Sequence, residues 1–131
     1  LEWVVPEIAP AIRLREASIY QLPYTDDEFE LVICCEVLEH LDSPRQALAE
    51  LSRVARRAVL VSTPREPLWR ILNICRFHYI ARLGDTPGHV QHFSKRELVR
   101  LVNPYLHIHH LRTPTPWIVL IGEPRDIPGP G

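Results

Sequence analysis

Apolar and polar residues alternate along positions 12–19, Ile-Arg-Leu-Arg-Glu-Ala-Ser-Ile. That period of two predicts a half-buried strand, broken at Leu22-Pro23. Tyr24 to Glu28 is a polar turn. Residues 29–35, Phe-Glu-Leu-Val-Ile-Cys-Cys, then run almost without polar interruption, as a central strand covered on both faces does. Ser43-Pro44-Arg45-Gln46 reads as a helix start. Ser43 can accept from the first amides, Pro44 suits the first turn and Gln46 can close a capping box. Apolar Ala47, Leu48, Leu51, Val54 and Ala55 recur at helical spacing, so the helix should run from Pro44 to about Arg56 and pack one side on a sheet. Residues 58–63 form a short buried strand stopped by Pro64. Strand, helix and strand over 29–63 are expected to make a right-handed parallel crossover.

Downstream, Leu68, Ile71, Leu72, Cys75, Tyr79 and Ile80 give residues 67–83 a helical stripe that Gly84 can end. Residues 84–93 are a Gly/Pro-punctuated loop, and Ser94-Lys95-Arg96-Glu97 is a capping box opening a short helix that Asn103-Pro104 closes. Leu106 to Leu111 and Trp117 to Gly122 read as two strands whose short connection, Thr113-Pro114-Thr115-Pro116, makes them antiparallel. The chain is expected to be a single domain over 1–123 with a loose Pro/Gly tail over 124–131.

Composition changes this picture little. The 131 residues are 46% hydrophobic and 24% charged with a formal net charge of -1, values of an ordinary globular domain that produce no field drawing in nucleic acid or an anionic membrane. Fourteen of the 15 basic residues are Arg, scattered among 16 acidic ones. Three cysteines make no disulfide framework, so a reducing cytoplasm is the expected compartment, with Cys34 and Cys35 on opposite faces of their strand. No apolar run reaches the ~20 residues of a membrane span, and the start has no signal-peptide pattern. The chain has no methionine and begins Leu-Glu-Trp-Val-Val, so a fragment is expected.

Several short pieces occur in one order and register: Leu22-Pro23-Tyr24, Asp27-Glu28-Phe29-Glu30-Leu31-Val32, Glu36-Val37-Leu38-Glu39-His40-Leu41, Ser43-Pro44 and Glu50-Leu51-Ser52-Arg53-Val54. Over residues 22–54 the chain resembles the class I S-adenosylmethionine-dependent methyltransferases. The resemblance implies an α/β, Rossmann-like methyltransferase fold, partial here, with a mostly parallel sheet into which an antiparallel strand of the C-terminal hairpin inserts. The family's Gly-rich loop and the acidic residue that holds the ribose have no counterpart; both would precede Leu1. The usual Lys-Pro-Gly-Gly turn after the central helix is replaced by Ala55-Arg56-Arg57-Ala58.

In open α/β sheets ligands bind beyond the C-terminal ends of the parallel strands. Strand 29–35 ends there, which explains why two carboxylates and a histidine follow an apolar run. By resemblance Cys35 and Glu36 wall the cofactor's methionine part, Ser18 and Ile19 take the adenine-contact position, where an acidic residue is usual, and Leu22 packs near the adenine ring. Arg65, Trp69, Arg76 and Tyr79, with Asn73, lie on the segment that in the family often covers the acceptor. Holding an already activated methyl group in line with its acceptor supplies much of the rate, and a base helps only where the acceptor loses a proton. His40, His89 and His92 are the candidate bases. Glu39 and His40 could instead pair with Arg65 or Arg76, and one loop histidine could simply brace the backbone before Ser94.

The expected activity is methyl transfer to a small-molecule or lipid acceptor, silent in a chain lacking the upstream half of the cofactor site. A homodimer through the exposed sheet edge is expected, since an unpaired apolar strand invites pairing. Two other readings stay open. One is a non-catalytic assembly module that keeps the fold. The other is a zinc module using His89 and His92 with His78 or Cys75, although no closing Cys pair exists. His107, His109 and His110 read as solvent-facing strand residues, with 107 and 109 on one face.

Overall fold

The computed structural model describes residues 12–65 and 93–126. Strand β1 spans Phe29–Cys35, helix α1 Pro44–Val54, strand β2 Ala55–Pro64, helix α2 Lys95–Val102, strand β3 Leu106–Arg112 and strand β4 Trp117–Pro124. A single 3₁₀ turn, Leu38–His40, joins β1 to α1. The expected helix over 67–83 and the loop up to residue 92 lie outside the described residues.

The four strands order as β1-β2-β4-β3. β1 pairs parallel with β2, and β4 pairs antiparallel with both β2 and β3. The antiparallel strand is thus inserted into an otherwise parallel set, as the resemblance implies. Cys34, Val61 and Leu120 stand opposite one another in register, as do Val32, Val59 and Gly122. These positions share one face with Ile118. Leu48 and Leu51 of α1 and Leu98, Leu101 and Val102 of α2 complete the core against it. Gly122 is required where it sits, because a Cβ there would lie 2.6 Å from the His107 carbonyl oxygen.

The opposite face corrects an expectation. Strand β1 is not covered on both sides: Leu31 and Ile33 are 47% and 62% exposed. Among the described residues α1 and α2 both lie on the Cys34 side, so β1's apolar run serves one covered face and one uncovered one. The alternating stretch 12–19 is not a strand either. Residues 12–17 take no regular structure, Leu14 is 73% exposed, and Ser18 and Gln21 close a tight turn. Alternation creates a strand only where a neighbouring strand accepts its hydrogen bonds.

Caps and connections differ in detail. Ser43 contributes no side-chain cap to α1; its carbonyl oxygen accepts from the amides of Gln46 and Ala47, and Gln46 Nε2 donates to the Tyr20 carbonyl at 3.3 Å. The capping box at α2 forms as read, with Ser94 and Glu97 each bonding the other's backbone. Helix α1 stops at Val54 and runs directly into β2, so Ala55 to Ala58 are strand, and Arg56 and Arg57 both pair with Glu30 of β1. In β3 the register shifts between Ile108 and His110, which interrupts the simple alternation expected of its histidines; all three are exposed.

Segment 18–27 is strapped along α1. Tyr20 sits at the helix's start, its hydroxyl accepting from the Ser43 amide at 3.4 Å. At the helix's end Arg53 donates to the Leu22 and Tyr24 carbonyls, to Asp26 and to Glu50, at 2.8–3.1 Å. Glu50 in turn accepts from the Leu22 amide at 2.8 Å. The guanidinium holds the Glu50 carboxyl below the usual carboxylate range.

Candidate functional site

Strand β1 leaves the sheet at Glu36, which adopts a left-handed conformation at φ 56°. A non-glycine residue there costs roughly 1–2 kcal/mol, and such outliers persist where their surroundings hold them. The Glu36 amide donates to the Ser62 carbonyl at 3.1 Å, prolonging the β1–β2 pairing by one residue. Ser62 Oγ donates to Glu36 Oε1 at 2.8 Å, and Trp117 Nε1 donates to Oε2 at 3.2 Å. One carboxylate therefore joins the end of β1, the end of β2 and the start of β4. Sequence reasoning missed Ser62 and Trp117. The signal was their placement at strand ends, which depends on a strand order that no local pattern reveals.

Three residues on, Glu39 is 2% exposed and neither carboxyl oxygen has a hydrogen-bond partner. Leaving a neutral polar group in that state costs about 1–3 kcal/mol, whereas burying an unpaired charge costs roughly several kcal/mol. Burial therefore favours the protonated form. Burial, above all, raises the Glu39 pKa, its own backbone amide opposes the rise, Glu36 adds to it and His40 offsets it in part. The Thr63 hydroxyl, at the end of β2, is likewise buried without a partner.

The other candidates divide into two groups. Ile19 and Leu22 line an apolar groove of about 310 Å³ together with Val32, Val37 and Leu51. Cys35, Glu36, His40 and Arg65 gather instead around the strand ends. Cys35 and His40 are exposed there, and the Arg65 amide donates to the Pro116 carbonyl at 2.8 Å, beside Trp117. Cys34 is buried, and that burial pushes its thiol up to about 12, aided by Cys35 and Glu39. The Ser18 hydroxyl accepts from the Tyr20 amide at 3.3 Å, so it shapes the turn that carries Ile19. His89, His92, Trp69, Arg76 and Tyr79, with Asn73, Cys75 and His78, lie outside the described residues.

Residues 3–61 match the family model described as a methyltransferase domain. That match spans less than half of the chain, which over those residues is similar to a methyltransferase domain. A 42-residue stretch is 48% identical to an uncharacterized methyltransferase of Schizosaccharomyces pombe, covering 32% of this chain and 15% of that protein. The fold is similar to that of a Thermotoga maritima protein described as a SAM-dependent methyltransferase and possible histamine N-methyltransferase. The TM-score is 0.67 at 15% identity, over 91% of this chain and 68% of that one. It is also similar to magnesium protoporphyrin IX methyltransferase from Synechocystis, solved with bound SAH, at a TM-score of 0.56 and 19% identity, over 80% of this chain and 48% of that one. The chain thus spans a small part of its Schizosaccharomyces relative and about half of the Synechocystis enzyme.

The buried Glu39 gives a pH signature. An acid whose folded pKa is raised leaves stability intact below its unfolded pKa and erodes it as pH climbs towards the folded value, because the unfolded chain gives up the proton first. Urea unfolding of the native chain should therefore show falling stability as pH rises above the ordinary carboxylate range, and Glu39→Gln should flatten that fall. Parallel curves for the two proteins would show that Glu39 is not held in its neutral form.

Proposed function

We propose that the chain is the larger C-terminal part of an S-adenosylmethionine-dependent methyltransferase acting on a small-molecule or lipid acceptor, and that it is inactive by itself. The observation that carries this reading is an apolar groove lined by Ile19 and Leu22 along β1, followed at the end of that strand by the fixed Glu36 carboxylate; His40 and Arg65 are exposed. An apolar groove suits a flat ring, and a carboxylate suits the polar end of the same ligand. S-adenosylmethionine supplies a methyl group already activated on sulfur. The chain's part is to bind and orient: Ile19 and Leu22 against the adenine, Ser18 holding their turn, Cys35 and Glu36 walling the amino-acid end. Arg65 contacts the acceptor, joined by Trp69, Arg76 and Tyr79. His40, or His89 or His92, takes a proton where the acceptor has one to lose.

Binding should be weak but local. Titration with S-adenosylhomocysteine, followed by amide chemical shifts, should give a dissociation constant on the order of 0.1–1 mM, equivalent to about 4–5.5 kcal/mol, with the largest shifts in residues 18–22 and 35–40. No shift at several times that concentration would abandon the enzyme reading in favour of an assembly module.

The uncovered side of β1 supports a homodimer through this edge, since Leu31 and Ile33 are exposed beside a strand with no second neighbour among the described residues. Sedimentation at micromolar concentration should show a dimer that Ile33→Lys dissociates. A stable monomer of the unaltered chain would contradict this.

A further inference from the structure

A second cleft, of about 610 Å³, opens between the start of α1 and helix α2. Its apolar part is Phe93 and Leu101, both buried, and its polar part includes the charged Asp42, Arg45, Glu97 and Arg100. The size is that of a small-molecule site. The charges on its walls do not cancel. Glu97 is committed to the α2 capping box, where it accepts from the Ser94 amide at 2.8 Å; the bonds to Ser94, with Arg100 adding to them, hold its carboxyl below the usual carboxylate range. Among the described residues the Asp42, Arg45 and Arg100 side chains make no hydrogen bond or ion pair, so two guanidiniums face one uncommitted carboxylate. Elsewhere in this fold arginines do find carboxylates, Arg53 on Asp26 and Glu50, Arg56 and Arg57 on Glu30. The cleft also adjoins the strand ends. Asp42 follows His40 by two positions, and Phe93 pairs in an isolated bridge with Arg65, the residue after β2.

We propose that this cleft binds molecules that join an oxyanion, a carboxylate or a phosphate, to an apolar body, with Arg45 and Arg100 on the anion and Phe93 and Leu101 against the apolar part. Guanidinium forks match both kinds of anion bidentately. For the cleft's role the inference rests on the methyltransferase reading and narrows it: the methyl acceptor is an anionic amphiphile, held between α1 and α2.

Amide-shift titrations of the 131-residue chain with octanoate, octyl phosphate, octan-1-ol and inorganic phosphate test this. Both octyl anions should move the amides of residues 42–45 and 97–101 and bind about fivefold or more tightly than the alcohol or the bare phosphate. The tighter of the two identifies carboxylate or phosphate as the group recognised. Replacing both exposed arginines, Arg45→Gln with Arg100→Gln, should weaken the octyl anions by about fivefold or more and leave the alcohol unchanged. Anion binding that survives this double substitution overturns the inference, as does an alcohol or a bare phosphate that binds as tightly as the octyl anions. S-adenosylhomocysteine, titrated separately, keeps the two readings apart. Its shifts at residues 18–22 and 35–40 beside a silent cleft overturn the inference and leave the methyltransferase reading standing. A responsive cleft without those shifts upholds the class of ligand and overturns the methyltransferase reading.

Discussion

The interaction between Arg53 and Glu50 decides where the candidate site can be. One guanidinium, 30% exposed, reaches two backbone carbonyls and two carboxylates, and Glu50 closes the ring through the Leu22 amide. Charge-assisted bonds of this kind contribute more than neutral ones, and several converge here on a segment with no strand of its own. Without them residues 18–27 would be held against α1 by the Tyr20 and Gln46 bonds, the Asp27 amide on the Arg53 carbonyl and apolar packing alone. Ile19 and Leu22 face their groove because the segment behind them is tied down.

The same clamp gives the family resemblance a physical meaning. Leu22-Pro23-Tyr24 and Glu50-x-x-Arg53 look like separate motifs in the chain, yet in the fold they bond to each other. Neither block need touch a ligand for its residues to matter. The segment Glu36-Val37-Leu38-Glu39-His40, where the proposed chemistry lies, follows β1 and leads into the other end of α1. That end is built differently, with strained backbone at Glu36 and a buried carboxyl without partners at Glu39. Such features lower stability locally, and the rigid core of Leu48, Val59, Val61, Leu98 and Leu120 is what can bear them.

How far the sequence was legible follows the range of each interaction. Strand β1 occupies the expected residues 29–35 and the Ser94 capping box forms, because both follow from short-range patterns and burial. The parallel pairing of β1 with β2 and the antiparallel pairing of β3 with β4 followed from connection lengths. Residues 12–17 deceived because their alternation lacks a partner strand, and Ser43 because Pro44 and backbone bonds satisfy the helix start without its hydroxyl. In the site, Glu36 was legible from its place after an apolar strand. Its partners were not: Trp117 lies 81 positions away, and only the insertion of β4 next to β2 brings it there.

Amide hydrogen exchange of Arg53→Ala tests this account most directly. If the guanidinium is what positions the segment, protection at the Leu22 amide should fall by about tenfold or more, as losing one charge-assisted hydrogen-bond network implies, while Ile33 and Val61 in the sheet keep theirs. Unchanged protection at Leu22 beside an intact sheet would mean that the groove is positioned by something other than the Arg53–Glu50 clamp.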